Sequence, residues 1–487
     1  MTIVGKLRQQ LQSGSAFSSM SVLASGSLLA QFIVMLASPL LTRLYTPQEF
    51  GFLAIFSSML NMLMVVASLR YQIAIPLAKN DRAGVATVLL CLVIGVGMAA
   101  VVLFLLLMFG DTFARLVNVQ EDSKWFYLLP VAVLFAGWFE AFRLWGVRTR
   151  SFIPLAKARV QQSAAMTLVQ IGGFRFGVAA LVLGQVVGRI AGFFRLAVPF
   201  RRAMSDHGQS VTRSELVLQA SDFRRFPIHS TWGTLLSVTG RQLPTVYFAA
   251  LVGPAGAGLY ALSQRMLSTP LTLVSESISS VFTSRVVASD DNEWLGHIIR
   301  IFSSSLCMLA AVPTLALMVA GEDSFAIIFG SAWSEAGVFS AIMAPWVYLV
   351  FVSTPVLIIF SKKSRDAELS IIQLVQAILR VVALFCGWLL SSAIWALVFF
   401  SVVSSAMCVY MLVRVHQLAD MSVWQAIRPV VVSFGFAILV VSPLLMNRFL
   451  ELEQPLIAWV LFALFAAVYY LWFAKRLLRD SAGVSRA

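Results

Sequence analysis

Charge is scarce in this chain. Lys, Arg, Asp and Glu together make up 12% of the residues, about half of the roughly 25% found in soluble domains. That deficit excludes an ordinary water-soluble globule. Acids are the scarcer sign: 22 Asp and Glu face 36 Lys and Arg, for a net charge of +14. A nucleic-acid binder gathers its basic residues on one solvated face. Here apolar segments cut them into short runs, so no nucleic-acid partner is expected. Cysteine is rare too. Cys91, Cys307, Cys386 and Cys408 all lie inside apolar stretches, which excludes a disulfide framework and a zinc spacing. His207, His229, His297 and His416 are scattered without metal-ligand spacing. There is no P-loop. The run Gly253–Gly258 lacks a following Lys-Ser/Thr and a preceding soluble strand. ATP is therefore not the direct energy source, and no cofactor or metal is expected.

Apolar residues are what is abundant: 59% of the chain, with a mean hydropathy of +0.87. They fall into about fourteen stretches of roughly twenty residues, the length that crosses a hydrocarbon core. Approximate limits are 17–42, 48–77, 84–110, 125–146, 152–174, 177–199, 227–250, 255–284, 298–320, 337–360, 367–389, 391–413, 425–446 and 455–475. The first is too long for the apolar core of a cleaved signal peptide and reads as a span. Loops after even-numbered stretches are rich in Lys and Arg, for example Arg148, Arg150, Arg201, Arg202, Lys362 and Lys363. The opposite loops hold Asp111, Glu121, Asp122, Glu322, Asp323, Glu451 and Glu453 with few basic residues. Cytoplasmic loops retain Lys and Arg. The expectation is a multi-pass membrane protein with both termini cytoplasmic. No outer loop is long enough for a folded domain. The longest hydrophilic segment, about 201–226, is cytoplasmic and central.

The two halves resemble each other. The turn Thr46-Pro47-Gln48-Glu49-Phe50-Gly51-Phe52-Leu53-Ala54 matches Gly253-Pro254-Ala255-Gly256-Ala257-Gly258-Leu259-Tyr260-Ala261 at a constant offset of 207, Pro254 on Pro47 and Gly258 on Gly51. The offset spans six helices, an even number, so the halves insert with the same orientation. That makes a parallel repeat about an axis along the membrane normal. The expected fold is an all-α polytopic membrane protein with about fourteen transmembrane helices. Its expected division is an N-lobe at 1–200, a cytoplasmic linker at 201–226, a C-lobe at 227–415 and two further helices with a tail at 416–487.

Leu41-Thr42-Arg43-Leu44-Tyr45-Thr46-Pro47-Gln48-Glu49-Phe50-Gly51, followed by Leu69-Arg70-Tyr71-Gln72-Ile73-Ala74-Ile75, resembles the N-terminal signature of the bacterial polysaccharide (Wzx-type, O-antigen/lipopolysaccharide) flippases. Gly258-Leu259-Tyr260-Ala261-Leu262-Ser263-Gln264-Arg265 resembles the matching signature of their C-lobe. The resemblance covers essentially the whole chain. It implies the multidrug/oligosaccharidyl-lipid/polysaccharide exporter superfamily: two six-helix lobes around a central cavity, two extra C-terminal helices, and alternating access. It also implies a substrate, a polyprenyl-pyrophosphate-linked oligosaccharide moved to the outer leaflet. A monomer working beside a polysaccharide polymerase and a chain-length regulator fits that role. Related lipid-linked precursor flippases carry cavity arginines in the second and eighth helices, which here correspond to Arg70 and Arg265.

Ionisable side chains inside spans are costly and normally face protein or a water-filled cavity. Arg70, Arg189, Arg241, Arg265 and Arg380 lie deep, against two acids, Glu140 and Glu276. Structural ion pairs cannot absorb five arginines with two acids. Arg143, Arg159, Arg175 and Arg195 sit nearer span ends, where they can snorkel. Polar residues extend the deep arginines along single helix faces, at steps of three and four. Arg265, Ser268 and Thr272 lie in one span, Ser237 and Arg241 in another, Gln373, Gln376 and Arg380 in a third, and Gln31, Ser38 and Thr42 in the first; Gln264, next to Arg265, is a further polar cavity candidate. Ser and Thr stripes alone also pack helices in lipid; a stripe that carries Arg or Gln suits a wet cavity better. Asn61 lies nine residues from Arg70, half a turn away on a straight helix. Arginine forks bind phosphate and stay charged. Trp138, Phe142, Trp145 and Tyr260 are either sugar-stacking or interfacial residues. Gly184, Gly188 and Gly192 suit close helix packing. Glu276 and Glu140 are candidate coupling acids, Glu140 with the alternative of a structural pair with Arg143. The rival functions are a multidrug exporter of the same superfamily, which would want cavity acids for cationic drugs, and an envelope polysaccharide polymerase or ligase.

Overall fold

The computed structural model describes residues 14–207, 211–288, 292–449 and 455–484. Among the described residues there is helix and turn but no strand. Fifteen α-helices run in order: α1 (Gly14–Leu44), α2 (Pro47–Val66), α3 (Asp81–Leu116), α4 (Leu129–Arg148), α5 (Phe152–Gly172), α6 (Val178–His207), α7 (Arg213–Asp222), α8 (Thr231–Ala288), α9 (Asn292–Phe329), α10 (Ser334–Ser353), α11 (Ile358–Lys362), α12 (Asp366–Leu389), α13 (Ala393–Leu418), α14 (Val423–Phe449) and α15 (Pro455–Val484). Among the described residues, twelve helical stretches are long and apolar enough to cross a membrane. Two differences separate that number from the fourteen expected. One stretch, Phe226–Leu271, runs across a break at Gly253 (φ 79°) and so holds two of the expected spans. Glycine is the residue that accepts this left-handed backbone without strain. The other difference is α5, helical over its full length but too polar to qualify.

The helices form two compact units, Met1–Gly258 and Leu259–Ala487. The segment 227–258 thus packs with the N-terminal unit, although the sequence assigned it to the C-lobe. In that unit, Asn118 Nδ2 donates to the carbonyls of Ala249 and Ala250 at 3.4 and 3.3 Å. The repeat turns meet there as well. A Cβ on Gly51 would stand 1.6 Å from the Pro254 carbonyl oxygen, and one on Gly258 would stand 2.2 Å from that of Pro47. Each glycine packs on the partner of the other's equivalent, the reciprocal contact that a local twofold axis requires. Thr46 caps α2 with a capping box to Glu49, which fixes the start of the helix that carries Gly51.

Two expectations need correction. The second span is not one helix over 48–77. α2 ends at Val66; Leu69 and Arg70 are left-handed (φ 47° and 65°), and Tyr71–Leu77 forms a 3-10 helix. The half-turn argument that separated Asn61 from Arg70 assumed a straight helix and does not apply. The segment 201–226 is not a bare linker either. Thr212 and Glu215 form a capping box that starts α7. The helix docks on α3 through Arg82–Glu215 at 2.8 Å and Thr87–Gln219 at 3.3 Å, and on the 3-10 helix through Tyr71 Oη to the Ala220 carbonyl at 3.0 Å. The Thr212 backbone N–H and the Arg82 guanidinium hold the Glu215 carboxyl below its usual range.

In the C-terminal unit the last two helices pack on α9 and α10. Tyr469 and Tyr470 of α15 donate to the carbonyls of Met308 and Leu309 at 2.8 and 3.0 Å, and Tyr348 Oη and Ser433 Oγ are 3.0 Å apart.

Candidate functional site

Arginines converge in the interior of the N-terminal unit. Four elements supply them. α4 carries Glu140 and Arg143, α5 carries Arg159, α6 carries Arg189, and the left-handed turn after α2 carries Arg70. Close packing of α5 and α6 brings the first three elements together. Cβ atoms on Gly184, Gly188 and Gly192 would meet Gln170, the Gln162 carbonyl and the Phe139 ring within 3 Å. The small-residue stripe therefore packs helices, as its spacing suggested.

Arg143 grips Glu140 through a fork, Nε to Oε2 at 2.8 Å and Nη2 to Oε1 at 2.5 Å. This is the structural pair that the spacing of three offered as an alternative. The pair is about one-quarter exposed. Glu140 also sits in the field of Arg159 and Arg189, and Arg70 in turn feels Glu140. The Arg159 guanidinium lies over the Phe139 ring, 5.9 Å from its centroid, on a residue whose surface is open. The Nε atoms of Arg70 and Arg189 are buried and have no hydrogen-bond partner, and Gln162 Oε1 between them in the sequence is also unpartnered. Four guanidinium groups thus share the field of one carboxylate, and both oxygens of that carboxylate are engaged by Arg143's fork. Buried donors without partners are expensive, and an anion would satisfy them.

Sequence reasoning set Arg143 and Arg159 aside as residues able to snorkel. The missed signal is the polarity of α5. It carries Arg159, Gln162, Thr167 and Gln170 within a helix that must still lie among spans, so its polar side must be enclosed by protein. Thr167 and Gln170 are indeed buried. Gln170 is structural: its Nε2 donates to the Leu181 carbonyl at 3.1 Å, and its own carbonyl accepts from Tyr45 Oη at 2.5 Å.

The other expected site residues do not join this cluster in one piece. Arg241 is exposed and donates to Ser237 Oγ one turn earlier at 3.1 Å, within the N-terminal unit. Gln31 and Asn61 are half-buried, while Ser38 and Thr42 bond carbonyls of their own helix, Val34 and Pro39. Arg265 and Gln264 belong to the C-terminal unit and are half-buried; among the described residues no carboxylate acts on Arg265. Ser268 Oγ is taken by the Gln264 carbonyl at 2.6 Å. The side chains of Thr272 and Glu276 lie outside the described residues. Arg380 is caged. Its Nε donates to Ser404 Oγ at 2.8 Å, and its guanidinium lies 5.2 and 5.3 Å from the Trp346 and Phe400 rings. Gln376 is buried against Cys408, whereas Gln373 is exposed. The aromatic candidates are neither sugar platforms nor anchors. Phe142, Trp145 and Tyr260 are buried in packed interior, and Trp138 Nε1 donates to the Leu92 carbonyl at 3.1 Å. Interior packing against Phe193 and Phe200 absorbs Phe142, and Phe200 packs on Trp145 as well.

Residues 40–338, more than half of the chain, match the family described as polysaccharide biosynthesis protein. No curated sequence matches the chain. Among solved structures the chain is similar to the lipid II flippase MurJ in an inward closed conformation. The TM-score is 0.67 and the identity 11%, over 93% of this chain and 99% of that one. It is also similar to a multidrug resistance transporter of the MATE family and MOP superfamily, inward-facing, with a TM-score of 0.56 and 12% identity over 88% and 98%. A MATE transporter of Vibrio cholerae gives a TM-score of 0.52 and 13% identity over 85% and 96%. At these identities the likeness is one of fold. By its matched residues the chain belongs to the polysaccharide biosynthesis protein family, on a fold similar to those of MurJ and the MATE transporters.

Proposed function

We propose that this protein is a flippase that moves a polyprenyl-pyrophosphate-linked oligosaccharide from the cytoplasmic to the outer leaflet of the bacterial inner membrane, by alternating access. The observation that carries the reading is the arginine excess around Glu140. A pyrophosphate crossing hydrocarbon needs counter-charges along its path, and guanidinium forks supply them without depending on pH. In this reading Arg70, Arg159 and Arg189 receive the phosphates, and Glu140 holds Arg143 and sets the orientation of the cluster. Arg241 of the N-terminal unit and Arg265 of the C-terminal unit are further phosphate-binding arginines in this reading. Cationic drugs would call for the opposite sign, so the multidrug reading is weaker. MurJ is named as a lipid II flippase, and the matching family is described by polysaccharide biosynthesis; both support a flippase reading. Both termini and α7 are assigned to the cytoplasm by the Lys and Arg bias.

Proteoliposomes holding the full chain test the substrate class. A fluorescent saccharide would be supplied on a polyprenyl pyrophosphate or on the matching monophosphate, and its exposure to an impermeant quencher followed in time. The pyrophosphate form is expected to cross at least several-fold faster. Equal rates would remove the pyrophosphate from the account, and no movement of either form would contradict the flippase reading.

A further inference from the structure

A second basic site lies in the C-terminal unit. A cavity of about 470 Å³ opens where α9, α14 and α15 meet. Arg300 of α9, Arg428 of α14 and Arg476 of α15 stand on its wall, and none of the lining residues is acidic. Arg300 and Arg428 are exposed, and among the described residues neither is paired with an acid. Arg476 is anchored over the Trp472 ring at 5.7 Å and reaches Met308 Sδ at 3.4 Å. The remainder of the wall is mixed: Ser304, Ser305, Ser422 and Gln425 are polar, and Met308, Val432 and Phe473 are among its apolar residues. Trp424, 60% exposed, stands at its mouth. An exposed Trp beside basic residues at a span end is characteristic of the membrane interface.

Three arginines, hydroxyl groups and apolar side chains around one cavity suit a phosphate ester that carries acyl chains. We propose that this cavity binds the phosphodiester headgroup of an anionic membrane phospholipid, with the acyl chains running along the apolar side chains of its wall. The occupant is a phospholipid rather than a free phosphate because half of the lining is hydrocarbon that a free anion would leave exposed. The Lys and Arg bias assigns these helix ends to the cytoplasm, where anionic lipids draw in basic residues at about 1 kcal/mol each. The proposal stands apart from the transport reading: its residues lie outside the Glu140 cluster, and its readout is lipid retention.

Native mass spectrometry of the purified full chain tests it. The protein would be incubated with phosphatidylglycerol or phosphatidylcholine, and bound lipid counted after release from detergent. Wild type is expected to retain phosphatidylglycerol in preference to phosphatidylcholine. Loss of two arginines in R300A/R428A should weaken that retention about thirtyfold, while R300K/R428K keeps most of it. Both positions are exposed, and size-exclusion profiles would report whether the variants fold. Excess inorganic pyrophosphate should leave the lipid bound. Equal retention of the two lipids, unchanged retention in R300A/R428A, or displacement by pyrophosphate would each overturn the proposal.

Discussion

In the N-terminal unit, Arg143, Arg159 and Arg189 gather on one carboxylate, Glu140; in the C-terminal unit, Arg380 lies over Trp346 and Phe400 and bonds Ser404. Both regions place cationic side chains among membrane-spanning helices, yet they differ in what is left over. The surroundings of Arg380 are aromatic rings and a hydroxyl. Two aromatic faces stabilise the cation, and a hydroxyl takes its Nε. The cluster around Glu140 is incomplete. Its one fork is spent on Arg143, and the Nε atoms of Arg70 and Arg189 stay unpartnered. An arginine inside a span is therefore not evidence of a binding path until its local partners are counted.

That contrast can be broken at several points. The largest effect belongs to R189A and R159A. Each removes charge-assisted bonds to an anion, worth about 1.5–3 kcal/mol apiece, and each should stop surface polysaccharide export with the protein still present in the membrane. R189K should restore export only in part, because Lys lacks the planar fork. R380A, by contrast, should lower thermal stability by about 1–2 kcal/mol, the scale of desolvated cation–π contacts, and leave export per molecule of protein unchanged. Loss of export in R380A at normal protein levels would erase the distinction between the two regions.

A smaller effect separates structure from coupling at Glu140. E140Q keeps the shape and removes the charge. The Arg143 fork then loses its carboxylate, and the cost should be about 1–3 kcal/mol in thermal unfolding, less than for a fully buried pair because the pair is partly open to solvent. Export in E140Q should keep the wild-type response to collapse of the proton gradient. A changed response would make Glu140 a coupling acid after all.

Much of the architecture was legible before the structure because hydrophobic length and Lys/Arg asymmetry are strong signals. The reciprocal fit of Gly51 on Pro254 and Gly258 on Pro47 was visible as a repeat at constant offset. The misreadings share one cause. Apolar composition does not mark where a helix stops, so Arg70 was put on a straight helix when the chain turns at Leu69 and Arg70. Nor does depth along the sequence separate a caged arginine from a free one. Arg380 and Arg189 look alike in sequence, and only their neighbours on other helices, Trp346 and Phe400 against Glu140, tell them apart. Arg159 was discounted for standing near a span end, although the polarity of its own helix pointed inward.

The most direct test of the Glu140 cluster is binding of a short-chain prenyl pyrophosphate to the purified full chain, titrated by isothermal calorimetry. Two lost charge-assisted contacts should weaken binding to R159A/R189A by about a hundredfold or more relative to wild type, with R380A binding as wild type does. Equal affinity in wild type and R159A/R189A would contradict the assignment of the pyrophosphate to this cluster.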